Sequence, residues 1–301
     1  MTAGNAKPRG VLHPQPTQSQ FIHERHSPSA ALADLVEHYW CVRWDLRELP
    51  PQRQATLPHP NVHLVIERNE SYVYGVHTDR FERLLEGRGF AFGIKFKPGG
   101  FHPFLQAPIS TLANRSMPAQ TVFGADCQSL ATRITMCATT SAMTLVAEAF
   151  LLAQRPQPDP NVARANRLVA AIADNLGITS VNQLLGTAAI DKRALQRLFH
   201  KYVGVGPKWV IQRYRLHEAI AQLQAHAPRD WSRLALELGY FDQAHFARDF
   251  RALVGQSPSE YVRSLHAENN GIQAMSESQI TKLEKAGEFP QRFALTNRTV
   301  A

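Results

Sequence analysis

Asp191-Lys-Arg-Ala-Leu-Gln-Arg-Leu-Phe-His-Lys-Tyr-Val-Gly-Val-Gly-Pro207 and Asp242-Gln-Ala-His-Phe-Ala-Arg-Asp-Phe-Arg-Ala-Leu-Val-Gly-Gln-Ser-Pro258 are two versions of one pattern. At a constant offset of 51 residues, Asp191 pairs with Asp242, Leu195 with Phe246, Arg197 with Arg248 and Phe199 with Phe250. Val203 with Val254, Gly204 with Gly255 and Pro207 with Pro258 complete the match. A repeat at fixed spacing marks a duplicated structural unit. In each copy an aspartate stands where a helix N-cap is favoured, apolar residues recur at i, i+4 and i+8, and glycine stands where the helix ends. Leu184 and Leu185 precede the first copy; Leu234, Ala235, Leu238 and Gly239 precede the second. Each unit therefore reads as helix, tight turn, helix.

With the apolar stripe turned inward, the opposite face of the first capped helix presents Lys192, Arg193, Gln196, Arg197 and His200. The second presents Gln243, Ala244, Ala247, Arg248 and Arg251. Arg and Gln make paired hydrogen bonds to guanine and adenine edges in the major groove, and small Ala permits close approach or contact with a thymine methyl. One such helix is most simply a solvated polar face; two at a fixed offset favour DNA. Between them Pro207–Gln224 has the period of a long amphipathic helix, about 27 Å long at 1.5 Å per residue. Successive major grooves on one face of a duplex lie about 34 Å apart. One chain can thus hold two recognition helices in adjacent grooves.

Charge points to the same region. The 301 residues carry a formal net charge of +8. Residues 1–160 hold 15 Lys+Arg against 13 Asp+Glu, residues 161–265 hold 14 against 8, and residues 266–301 hold 4 against 4. The excess sits mainly in the helical stretch, where a nucleic-acid surface is to be sought. No uninterrupted apolar run is long enough for a membrane helix, and Met1–Gln20 lacks the apolar core of a signal peptide. Three scattered cysteines, Cys41, Cys127 and Cys137, exclude a disulfide framework and fit a reducing, cytoplasmic setting.

Residues 1–27, rich in Pro, Gln and Ser, read as a mobile tail, and residues 28–154 as a core-forming sensing domain. Strand alternation appears in 61–67, 71–77 and 90–96. A helical period follows, with Leu130, Ile134 and Cys137 on one face, and Leu145, Val146, Ala149 and Leu152 on another. Arg155-Pro-Gln-Pro-Asp-Pro160 is a proline-rich linker, residues 161–265 form the helical domain, and residues 266–301 a polar tail.

Residues 178–265 resemble the paired helix-turn-helix domain of AraC/XylS-type transcriptional regulators. The resemblance is carried by Leu195-Gln-Arg-Leu-Phe199, Gly204, Pro207, Arg215-Leu216, Ala235-Leu-Glu-Leu-Gly-Tyr240, Asp242-Gln-Ala-His-Phe246, Arg248, Phe250, Gly255 and Pro258. It implies that Arg193, Gln196, Arg197, Gln243, Ala244, Ala247 and Arg248 face DNA. Tyr39-Trp40, Pro58-His-Pro-Asn-Val-His-Leu64 and Phe96-Lys-Pro-Gly-Gly100 are similar to one subgroup of the sensing domains that precede it. The implied fold is α+β, a small cupin-like β-barrel with helices used for dimerisation, followed by an all-α domain of two units on a linker helix. The implied partners are double-stranded DNA, RNA polymerase, a small-molecule effector and a second copy of the chain, with no membrane.

A catalytic role finds little support. His59, His63, His77 and His102 lie near predicted strands, but their spacing lacks a His-x-His metal pattern, so surface or core histidines are the simpler reading. Gly87-Arg-Gly89 and Gly99-Gly100 read as turns rather than a phosphate loop, with Phe96–His102 leading into a helix. Tyr39, Trp40, Trp44, Phe92 and Phe101 read as core before pocket lining. No enzyme activity, metal or cofactor is expected. A regulator without a small-molecule ligand, or a non-specific architectural DNA binder, is the alternative.

Overall fold

The computed structural model of the chain describes residues 21–68, 70–188, 190–225 and 230–265. The tail expected at 266–301 lies outside these residues.

The first half contains β1 (Phe21–His26), β2 (Val36–Leu46), β3 (Gln52–Thr56), β4 (His63–Ile66), β5 (Ser71–Tyr74), β6 (Phe81–Leu85), β7 (Gly87–Phe96) and β8 (Ser116–Pro118). Its helices are α1 (His102–Leu105), α2 (Gln120–Phe123), α3 (Asp126–Thr135) and α4 (Thr140–Ala153). Six strands make one antiparallel sheet in the order β1-β2-β7-β4-β5-β8, and β3 and β6 form a separate ribbon. The chain is thus β-rich first and helical after. β1 shortens the tail expected over 1–27: Phe21–His26 pairs along the whole register with β2, from Phe21 opposite Trp44 to His26 opposite Tyr39.

Alternation places Phe92, Ile94 and Phe96 of β7 inward, with Leu64 and Ile66 of β4 and Val73 of β5. Tyr39 stacks on Phe92 with centroids 6.2 Å apart, and Phe96 meets Phe101 edge-on at 4.9 Å. These aromatics are core. Trp40 and Trp44 instead lie across the strand pair from Gly93 and Gly89, where a β-carbon would come within 2.0 Å and 2.4 Å of the indoles. Gly89 is therefore not a turn residue; strand β7 needs it beneath an aromatic ring.

Helices α3 and α4 complete this core. Leu130 and Ile134 point inward as expected, but α4 turns Thr140, Met143, Thr144, Ala147, Phe150 and Leu151 to the interior. Leu145 and Leu152, which share the periodic face read from sequence, are exposed. The helix is apolar nearly all round, so periodicity alone did not select the buried side.

The second half contains α5 (Pro160–Asp174), α6 (Val181–Ala188), α7 (Lys192–Leu198), a π turn (Phe199–Val203), α8 (Pro207–Ala225), α9 (Trp231–Glu237) and α10 (Gln243–Val254), then a helix over residues 258–265. Helix α8 is a wall shared by two cores. Val210 and Ile211 pack with Leu184, Leu195, Phe199 and Val203; Leu216, Ile220 and Leu223 pack with Leu234, Phe246, Phe250 and Tyr261.

The two halves are docked. Val76 joins the first of these helical cores and Leu57 the second. Asn166 of α5 accepts from the Gly99 amide at 2.9 Å and donates to the Asp34 carbonyl at 3.0 Å. The Phe96–His102 segment is thus a turn into α1 seated against α5. His59 and His217 meet edge-on, centroids 4.3 Å apart.

Burial holds the imidazoles of this seam neutral. His217 falls from the ordinary 6.5 to about 3, with Arg213 and Lys95 adding to the effect of desolvation. His63 likewise falls to about 3, by desolvation and then Lys95, against an opposing pull from Glu37. A histidine depressed on folding costs nothing above its unfolded value and destabilises the fold increasingly as pH drops below it. Each should remove on the order of 1.4 kcal/mol per pH unit between about pH 6 and pH 4. Denaturant midpoints should therefore be flat above about pH 7 and fall below about pH 6. His217→Asn and His63→Asn should each flatten that fall, and unchanged slopes in both variants would refute the assignment.

Candidate nucleic-acid interface

The two units superpose in chemistry as well as in sequence. Asp191 caps α7, its carboxylate accepting from the Ala194 amide at 2.8 Å; Asp242 caps α10, accepting from His245 at 2.7 Å. Leu195 and Phe246 are fully buried, as are Phe199 and Phe250. Gly204 and Gly255 end the helices in left-handed backbone, at φ 91° and 88°. The units differ in one local respect. Gly204 donates to Phe199 and Gly255 to Arg251, so the first helix ends on a π turn where the second keeps its α period.

Burying one stripe fixes what the other face shows. Lys192, Arg193, Gln196 and Arg197 are exposed on α7, as are Gln243, Ala244 and Arg248 on α10, with Ala247 half-buried. The last member of each set is engaged within the protein. His200 lies in the π turn with Nδ1 3.2 Å from Ser110 Oγ, and Arg251 donates to Glu260 at 2.7 Å.

Two matches with known families divide the chain. Residues 184–264 match a helix-turn-helix domain, and residues 24–118 match a domain of unknown function (DUF6597). The XylDLEGF operon transcriptional activator 3 of Pseudomonas putida is 33% identical over 100 residues, 32% of this chain and 30% of that protein. An uncharacterised helix-turn-helix transcriptional regulator of Haemophilus influenzae is 29% identical over 98 residues, 33% of each chain. The chain thus spans about a third of the length of these curated relatives. Over residues 184–264 the chain is thus similar to helix-turn-helix transcriptional regulators. ToxT from Vibrio cholerae O395 is 10% identical with a TM-score of 0.36, covering 82% of this chain and 99% of that one, a likeness too slight to define more.

The helix-turn-helix domain holds features that periodicity could not reveal. A cleft of 370 Å³ lies between its units, lined by Thr179, Ser180, Lys208, Arg215, Tyr240 and Phe241 among others. Phe241, just before the cap of α10, is 87% exposed, and Lys208 is exposed at the start of α8. Both residues line the cleft and face solvent. The signal in sequence was Phe241 itself, an aromatic residue placed in a turn. Across the cleft the units touch. Gly239 has φ 80°, and a β-carbon there would lie 2.4 Å from Thr179 Cβ, so glycine serves both the turn and the contact.

Not all the basic residues are free for a partner. Arg213 and Arg215 of α8 are buried, and Arg233 is paired with Glu237 at 2.9 Å. The four histidines considered as ligands each pack against a ring: His59 faces His217, His63 faces Trp40, His77 faces Phe81 and His102 faces Tyr202. Among the described residues no group of three metal-ligating side chains converges.

The caps can be tested directly. Asp191→Ala or Asp242→Ala should cost about 1 kcal/mol, read as a lower urea midpoint, and Asn at either position should restore most of it. An Asn variant as unstable as the Ala variant would show that the cap is not the cause.

Proposed function

We propose that the chain is a sequence-specific DNA-binding transcription regulator whose α7 and α10 enter successive major grooves of one duplex. The observation that carries this reading is the pair of capped helices, repeat-related and mounted on one α8, each burying its stripe and exposing an Arg- and Gln-bearing face. Arg193, Gln196, Arg197, Gln243 and Arg248 would read base edges, Ala244 and Ala247 would allow close approach, and Lys192 would meet phosphate. His200 and Arg251 would meet the duplex from positions beside Ser110 and Glu260.

The N-terminal half would sense a small-molecule effector and pair with a second copy, a reading supported by the exposed Leu145 and Leu152 on α4. RNA polymerase would be the protein partner, as suits relatives named as transcriptional activators, and the site of action the cytoplasm. Among the described residues no helix is long and apolar enough to cross a membrane.

Selection of bound duplexes from a random-sequence pool should return one preferred site with two half-sites. Arg197→Ala and Arg248→Ala should each weaken binding to it by about 1–3 kcal/mol and relax base preference in one half-site only. Lys208→Ala should weaken all duplexes alike and reduce the slope of log K against log salt by about 0.9. Equal binding of every duplex would leave a non-specific architectural protein instead.

A further inference from the structure

The N-terminal half touches both units at the same repeat-related position. In the first unit a β-carbon on Gly204 would lie 2.8 Å from Ile109 Cγ2, and Ser110 meets His200. In the second, a β-carbon on Gly255 would lie 2.6 Å from Arg80 Nη1, and that guanidinium donates to the Val254 carbonyl at 2.6 Å. Each recognition helix is therefore met at the carboxyl end, where carbonyls are left without intrahelical partners and the helix dipole is negative.

The two points of contact belong to one hydrogen-bonded body. Gly75 donates to the Arg115 carbonyl at 3.0 Å and Asn114 to the Val76 carbonyl at 2.9 Å. Asn114 Oδ1 accepts from the Thr78 amide at 2.7 Å and from its hydroxyl at 3.0 Å. A β-carbon on Gly75 would lie 1.9 Å from the Leu112 carbonyl oxygen, so the segments 75–80 and 109–115 are pressed together. At its middle this body is pinned to α8, for Arg213 Nη2 donates to the Thr78 carbonyl at 2.5 Å.

We infer that residues 75–80 and 109–115 form a bracket that sets the separation of α7 and α10, and hence the half-site spacing that the chain accepts. Arg80 and Asn114 are positioning residues; neither lies among those proposed to read bases. The inference rests on the reading that both helices hold DNA, but the bracket itself exists without DNA and can be tested without it. A shift of this body in the N-terminal half changes groove-to-groove geometry while leaving each recognition face intact.

Two measurements on the full chain decide it. The first uses hydrogen exchange in the absence of DNA. Arg80→Ala should speed exchange in the last turn of α10 about five- to tenfold, the effect of losing one hydrogen bond, with α7 unchanged and Arg80→Lys close to wild type. Asn114→Gly keeps the left-handed backbone at φ 57° but removes the bonds to Thr78, and should speed exchange at the ends of both helices. Unchanged exchange in both variants overturns the bracket.

The second uses the duplex selected from the random pool and versions with one base pair inserted or removed between the half-sites, a change of about 3.4 Å and 34°. Wild type should lose about tenfold or more on either version, and Arg80→Ala should lose no more than about threefold. Base preference within each half-site should stay the same. Spacing discrimination equal to wild type overturns the inference, whereas a chain that selects no duplex overturns the DNA reading and leaves the exchange result to judge the bracket.

Discussion

Arg215 lies wholly inside the protein, its Nη2 donating to the Ile172 carbonyl at 2.5 Å and the Asn175 carbonyl at 3.4 Å. These are carbonyls from the carboxyl end of α5, where the dipole favours a cation. A buried charge stripped of such partners costs several kcal/mol, so α8 cannot turn about its axis without heavy loss. Two residues earlier Arg213 reaches toward the N-terminal half and stacks on Trp209, with 4.6 Å between guanidinium carbon and ring. Burial lowers the Arg213 guanidinium to about 10. Two arginines on one helix, Arg213 and Arg215, thus fix its rotation from two sides. The placement of both helix-turn-helix units follows, since each packs its core on that helix.

The paired units were legible in the sequence because their signals are local and repeated. Asp191 and Asp242, Gly204 and Gly255, and the stripes ending in Val203 and Val254 each report on a cap or a face within one helix. The N-terminal half was less legible where structure depends on distant partners. β1 is short and polar, and only pairing with β2 makes Phe21–His26 a strand. Gly89 read as a turn residue until the facing Trp44 was placed. Helix α4 offers apolar side chains in most directions, and the sheet beneath it makes the choice.

Charge was legible as an address and only partly as a surface. Of the basic residues in the helical half, Arg213 and Arg215 serve the interior, while Arg233 and Arg251 answer carboxylates. Lys192, Arg193, Arg197 and Arg248 remain exposed on the two recognition helices, joined by Lys208 at the cleft. Counting alone could not separate these groups, because an arginine at a helical core position differs from a solvated one only in what surrounds it.

The contact of Gly239 with Thr179 locks together two units that are alike but not interchangeable. The counterpart of Gly239 in the first unit is Ala188, buried at the end of α6. One recognition helix shows Lys192, Arg193 and Gln196 where the other shows Gln243, Ala244 and Ala247. A symmetric dimer reads a palindrome and leaves the duplex without orientation. Two unequal readers joined in one chain have no dyad, so under the proposed reading a site bound by one chain would acquire an arrow, and a single polypeptide would distinguish upstream from downstream.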